Sequence, residues 1–386
     1  MNEIIYLDYS ATTPLDKRVF EKMKPFFSNN YGNTASLHSL GNFTKDAVED
    51  VREKIKNKLN AEDYKLLFTS GGTESNNLAI KGIAYSYKDK GKHIIVSKIE
   101  HDCILNAAKW LEKEGYEITY LNVDKEGYIN LKDLKEKIRK DTILVSIIHA
   151  NNEIGTIQNI KEIGKICKEK NTFFHTDACQ SFTKVPIDLK ENNIDLITIN
   201  AHKIYGPKGV GGLLIKDGIK LTPLFHGGGH EYNLRSGTLN VPGIIGFGES
   251  IEVIKEKDIE NMHILKNKLI KEILKKIPLS YLNGPFENRL CNNINFRFDN
   301  IEGESILLHL DLLGIKVSTG SACSSNTLET NHVIKAIGVK PDEANGVIRI
   351  TLGKETTKED IDKVIEVLPP IIKKLTTMSP FGKKRL

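Results

Sequence analysis

The sequence predicts an α/β fold: a mostly parallel sheet with helices on both faces, followed by a smaller α+β unit. Three observations carry this reading. Short runs, continuously apolar or β-branched, recur along the chain, as strands buried on both faces require. Segments of helical spacing separate them, and strand–helix–strand alternation builds parallel sheets. Near residue 250 the alternation stops and the pattern changes character.

Taken in order, the apolar runs are Leu66–Phe68, Ile94–Val96, Ile143–Ile148, Thr172–His175 and Leu196–Ile199. Helical patterns fall near 73–87, 102–114, 131–139 and 159–170. A charged stretch at about 251–277 carries apolar residues at helical spacing and reads as a helix. Beyond it come strand-like Asn293–Phe298, a helix at 303–313 and a short strand near 315–318. A loop, a helix at 330–337, a strand at 346–351 and a last helix at about 357–375 complete the smaller unit. The larger unit is expected to end near residue 250, where the smaller one begins.

Length and composition narrow the function. A chain of 386 residues has room for roughly two to three domains. Its 39% hydrophobic and 27% charged residues exclude a disordered or low-complexity protein. The net charge of +5 is small and the bases alternate with acids, so no nucleic-acid partner is expected. The basic tail Lys383-Lys384-Arg385 reads as a solvated terminus. Five cysteines, Cys103, Cys167, Cys179, Cys291 and Cys323, make an odd set without C-x-x-C spacing. That argues against a disulfide framework and against a Cys-rich zinc site, and fits a reducing cytoplasm. The N-terminal segment has neither a signal-peptide pattern nor an apolar run long enough to span a membrane.

In open α/β sheets ligands bind beyond the carboxyl ends of the strands. After Phe68 comes Thr69-Ser70-Gly71-Gly72-Thr73-Glu74-Ser75, small residues opening a helix. Free N–H groups there suit an anion such as phosphate, and a plain capped helix start is the competing reading. The segment is no Walker loop, because no Lys-Ser/Thr follows the glycines. His101 follows Val96, the Asn151-Asn152 pair follows Ile148, Asp177 follows His175, and Lys203 follows Ile199. Singly, each could be a turn former, a cap or a surface charge. Together, a phosphate-type loop, an aromatic His, an Asp and a Lys at one sheet edge suit pyridoxal 5'-phosphate. That cofactor needs a Schiff-base lysine, an acid at its ring nitrogen and phosphate donors.

Six motifs then stand in order along the chain. They are Tyr9-Ser10-Ala11-Thr12-Thr13-Pro14, Ser70-Gly71-Gly72-Thr73-Glu74-Ser75-Asn76 and Asn151-Asn152-Glu153-Ile154-Gly155. His202-Lys203-Ile204-Tyr205-Gly206-Pro207-Lys208-Gly209, Arg235-Ser236-Gly237-Thr238 and Gly320-Ser321-Ala322-Cys323 follow. In these the sequence resembles the cysteine desulfurases of the NifS/IscS type, in the class V aminotransferase group.

The resemblance implies the PLP-dependent transferase fold type I, with a large domain over 16–255 and a small domain built from both chain ends, 1–15 and 256–386. It also implies a homodimer and the conversion of L-cysteine to L-alanine. Lys203 would carry the cofactor and move the substrate's Cα proton. Asp177 would pair with the ring nitrogen, Gln180 with the ring hydroxyl, and His101 would stack on the ring and transfer protons. Gly72, Thr73, Asn200 and His202 would surround the phosphate, with Thr238 reaching in from a partner subunit. The family usually has Ser where Asn200 stands, so that contact is expected to differ. Asn152 and Arg349 would hold the substrate carboxylate, for which a planar guanidinium fork is suited. Cys323 would accept the sulfur as a persulfide and pass it to an iron–sulfur scaffold or another acceptor protein. Its setting, Ser318 to Asn326, is small and polar, which favours exposure. The other four cysteines lie in or beside apolar segments and read as structural.

Rival readings fare worse. His226-Gly227-Gly228-Gly229 is similar to an esterase oxyanion motif, but the chain lacks G-x-S-x-G. No cluster of ligand spacing supports a metal enzyme. A selenocysteine lyase or an aminotransferase would share the cofactor, yet an aminotransferase has no use for an exposed Cys323.

Overall fold

The computed structural model describes residues 4–319, 331–340 and 343–379. Twelve strands appear among the described residues. In chain order they are β1 Ile5–Tyr6, β2 Tyr64–Thr69, β3 His93–Ser97, β4 Glu117–Leu121, β5 Thr142–Ser146 and β6 Phe173–Asp177. They continue with β7 Leu196–Asn200, β8 Gly211–Lys216, β9 Ser280–Leu282, β10 Asn293–Phe298, β11 Ile315–Lys316 and β12 Val347–Thr351.

The main sheet has seven strands in the order β2-β8-β7-β6-β5-β3-β4. From β7 to β4 every pairing is parallel, and only β8 runs antiparallel to its neighbours β2 and β7. Strands β3, β5 and β7 are buried at every residue, as their unbroken apolar runs require. Two strands of this sheet were not foreseen. Strand β4 is half exposed, so its apolar signal is diluted. Strand β8 starts on Gly211 and Gly212 and reads as part of the preceding glycine-rich loop; a Cβ on Gly212 would stand 2.8 Å from Leu66.

Helices cover both faces. One buried cluster joins Val48, Phe68, Val145 and Phe247, and another, across the sheet, joins Leu67, Ile83, Ile94 and Leu111. A further cluster gathers Leu7 with Met262, Leu269, Phe296, Ile350 and Ile365. It lies under the antiparallel sheet β12-β10-β9 and the small parallel pair β1-β11. The helix Lys358–Met378 begins at a Thr357/Asp360 capping box. It runs through Pro369 and Pro370, while Leu368, Ile371 and Ile372 stay buried.

Candidate active site

The carboxyl ends of the parallel strands open into a cavity of about 310 Å³. Ser10, Gly72, Thr73, His101, Asn152, Asp177, Gln180, Asn200, His202, Lys203 and Arg349 all line it. Thus all the sequence-predicted site residues but two meet in one place. Thr238 is exposed and borders a separate small depression with Ser70 and Arg235. Cys323 lies outside the described residues.

Asp177 ends β6 and is 4% exposed. Its two oxygens accept from Asn76 Nδ2 at 2.7 Å and from the Cys179 N–H at 2.8 Å. Gln180 follows on the same turn and donates to the Ser10 carbonyl at 3.0 Å. Lys203 lies in the turn after β7, and its Nζ donates to the carbonyls of Ser10 and Ala11, at 2.7 Å for Ala11. Removal from water, then the positive charges of Arg349 and Lys184, push its amine down to about 8. A second buried amine, Lys184, reaches the Gln180 and Lys203 carbonyls at 2.9 and 3.3 Å and ties these two turns together.

The helix Gly72–Ser86 points its N-terminus at the cavity. Its cap residue Gly71 has φ +151°, open to glycine alone, and gives no side-chain cap bond, so the first N–H groups stay available. Gly72 allows a close approach: a Cβ there would stand 2.7 Å from Cys179 Sγ. His202 Nδ1 lies 3.2 Å from Thr12 Oγ1, and burial, then the positive Lys203, lowers the imidazole to about 4. His101 caps the helix Asp102–Lys113 with Nδ1, which accepts the Cys103 N–H at 3.2 Å.

The opposite wall comes from distant parts of the chain. Arg349, in β12, is 5% exposed. Its guanidinium donates to Glu153 Oε1 and, at 3.1 Å, to Asp8 Oδ1. Asn152 Nδ2 reaches the same Glu153 oxygen at 2.7 Å. The turn bearing Asn152 and Glu153 is shaped by Asn151, whose Oδ1 accepts the N–H groups of residues 153 and 154.

Several lining residues were given no role from sequence, among them Asn76 and Glu153, which stand inside quoted motifs. Asp8, which pairs with Arg349 behind the lining, carries no local signal. Cys103 and Cys179, read as structural, face the cavity; burial pushes Cys103 up to about 12, with Asp177 adding to it. Cys167 and Cys291 are buried in the body of the protein. Among the described residues no group of three or more His, Cys, Asp or Glu could hold a metal ion, and no helix is long and apolar enough to cross a membrane.

The residues fit pyridoxal phosphate. Ser10 Oγ, Asn76 Oδ1 and Asn200 Oδ1 are buried polar atoms without a protein partner, and all three residues line the cavity. An open helix N-terminus, a carboxylate and a primary amine of lowered pKa face the same space.

Comparison with known proteins agrees. The sequence model of the aminotransferase class-V family matches residues 5–364. The chain is 55% identical over 387 residues to the cysteine desulfurase IscS of Dictyoglomus turgidum, with 100% of this chain and 98% of that protein covered. It is 50% identical over 386 residues to the cysteine desulfurase IscS of Methanosarcina thermophila, covering 99% and 95%. A solved NifS-like protein superimposes with a TM-score of 0.90 at 37% identity, covering 97% of this chain and all of that one. The chain belongs to the class-V aminotransferase family, pyridoxal-phosphate-dependent enzymes of fold type I. Within that family it is a cysteine desulfurase of the NifS/IscS type.

Proposed function

We propose that the cavity at the carboxyl ends of β5, β6 and β7 is where this desulfurase takes sulfur from L-cysteine, for delivery to iron–sulfur cluster assembly. The observation that carries the reading is the convergence of Lys203, Asp177 and the open N-terminus of the helix Gly72–Ser86 on one cavity. When bound, pyridoxal phosphate supplies a conjugated ring that accepts the electrons released from the substrate's α-carbon.

The chain's own residues do the rest. Lys203 holds the cofactor and then moves the α-proton, for which an amine lowered to about 8 is suited. Asp177, its oxygens fixed by Asn76 and Cys179, would pair with the ring nitrogen, and Gln180 would bind the ring hydroxyl. Gly72, Thr73, Asn200 and His202 receive the phosphate, and a neutral His202 can donate one hydrogen bond to it. His101 would stack on the ring; its Nδ1 is engaged as a cap, which leaves Nε2 to exchange protons. Asn152 and Arg349 bind the substrate carboxylate.

Cys323 accepts the sulfur as a persulfide and alanine departs; this role rests on the resemblance of its motif. The finer setting is a cytoplasmic homodimer in which Thr238 completes the partner's phosphate site. Its exposure away from its own cavity supports that role. Exposed Phe27, Tyr31 and Leu37 offer apolar surface for a second copy to cover. A division into 16–255 and 1–15 with 256–386 is supported by Leu7, which packs among the C-terminal apolar residues.

The test is direct. Purified protein loaded with cofactor, given L-cysteine and a reductant, should release sulfide and alanine in step. Lys203→Ala should lose the visible absorption of the loaded protein. Cys323→Ser should keep the absorption and lose sulfide release. A Cys323→Ser protein that still turns over cysteine would reject the persulfide route and leave the cofactor site standing.

A further inference from the structure

The two groups proposed to receive the substrate's carboxylate already share a carboxylate. Asn152 Nδ2 and Arg349 Nη1 both donate to one atom, Glu153 Oε1. Glu153 is 5% exposed, and its second oxygen, Oε2, is buried without a hydrogen-bond partner. Its backbone is pinned from β10: Asn293 Nδ2 and Asn295 Nδ2 donate to the Glu153 carbonyl at 3.2 and 3.1 Å. The carboxyl group can therefore swing while the turn stays in place.

We propose that Glu153 is a resident stand-in for the substrate's carboxylate, displaced from Asn152 and Arg349 when an amino acid binds and protonated as it leaves them. The inference rests on the reading that Asn152 and Arg349 seat that carboxylate. A single guanidinium fork offers two parallel hydrogen bonds to one carboxylate. A buried carboxylate deprived of its counter-charge is costly, and neutralising it is the cheaper outcome.

The surroundings favour proton uptake. Burial already pushes Glu153 up, with Asp8 adding to it, while Arg349, His332 and the Asn152 hydrogen bond act against it. Once an incoming carboxylate engages Arg349, that opposing pull weakens. The proton comes from solvent and adds to a Glu153 oxygen; no bond to carbon changes. A ligand without a carboxylate has nothing to exchange for Glu153, which makes the residue a determinant of substrate choice.

The experiment uses the cofactor-loaded enzyme and 3-mercaptopropionate, which carries the carboxylate and thiol but no amine to react. Binding is measured by calorimetry in two buffers of different ionisation heat. The unaltered protein should take up a sizeable fraction of one proton, and its Kd should weaken as pH rises, by up to about tenfold per pH unit. Glu153→Gln should bind with no such uptake and a flatter pH profile. A slope and uptake unchanged in Glu153→Gln, or no uptake by the unaltered protein, overturns the proposal. The second measurement needs no variant, so poor folding of Glu153→Gln leaves the question decidable. Arg349→Gln separates the two readings. If it binds the probe as tightly as the unaltered protein, the seat itself is misassigned and the proposal falls with it. If it loses binding while Glu153→Gln keeps the full slope, the seat stands and only the stand-in role fails.

Discussion

Two buried carboxylates line the cavity, and they are held in different ways. Asp177 receives a neutral donor on each oxygen, from Asn76 and the Cys179 backbone. Glu153 concentrates Asn152 and the Arg349 guanidinium on one oxygen and leaves the other bare. The first arrangement fixes an anion in orientation without cancelling its charge. The second is an ion pair that an incoming anion can compete for. A site that keeps one partner through every turnover and exchanges another needs both kinds of carboxylate.

Mutations at the two walls should break the comparison in opposite directions. Asp177→Ala should release the cofactor and lower turnover by about 10²–10³-fold, followed by visible absorbance and sulfide assay. Glu153→Ala should keep the absorbance. Loss of it there would mean that both carboxylates serve the cofactor.

A smaller effect is expected at the guanidinium. Arg349→Gln should raise KM for L-cysteine by roughly 10–100-fold with a lesser change in kcat, since it removes a charged, paired donor from substrate binding. A kcat effect as large as the KM effect would move Arg349 from binding to chemistry.

A third buried carboxyl sharpens the contrast. Glu100 accepts from Ser97 Oγ and, at 2.9 Å, from the Ile148 N–H, both neutral donors. Burial pushes it up to about 8 from an ordinary 4.5. The native state therefore keeps a proton that the unfolded chain gives up. Its contribution to stability is fully present below the ordinary value and is lost as pH rises towards 8. Glu100→Gln should flatten that fall, on the order of a few kcal/mol by urea unfolding at several pH values. An unchanged slope would show that Glu100 ionises in the native state as freely as in the unfolded one.

The smallest effect tests the anion end. Gly72→Ala places a methyl group against Cys179 Sγ and should weaken cofactor binding by roughly tenfold. Adding Cys179→Ala should restore much of it, because the obstructing atom is a side chain.

Legibility in sequence followed locality. Strands β5, β6 and β7 announced themselves as unbroken apolar runs, and Asp177 and Lys203 were found by looking just past two of them. The glycine pair at 71–72 was visible as an anion loop because the helix it opens follows at once. Strands β4 and β8 escaped, one diluted by solvent-facing residues and the other masked by glycines. The second wall was legible only through resemblance. Nothing near Arg349 in the chain points to Glu153 or Asp8, which lie 196 and 341 positions away. That wall exists only because β12 passes beside the N-terminal segment, where Thr351 bridges Asp8 in parallel.

The span between Asp8 and Arg349 also sets a schedule for biogenesis. A chain emerging N-terminus first can complete the main sheet, with Lys203 and Asp177 in place, while more than a third of its length is still unmade. The substrate wall waits for β12, nine-tenths of the way along the chain. A nascent or truncated polypeptide could thus acquire cofactor before it can grip an amino acid, so a growing chain would not begin turnover until β12 had been added.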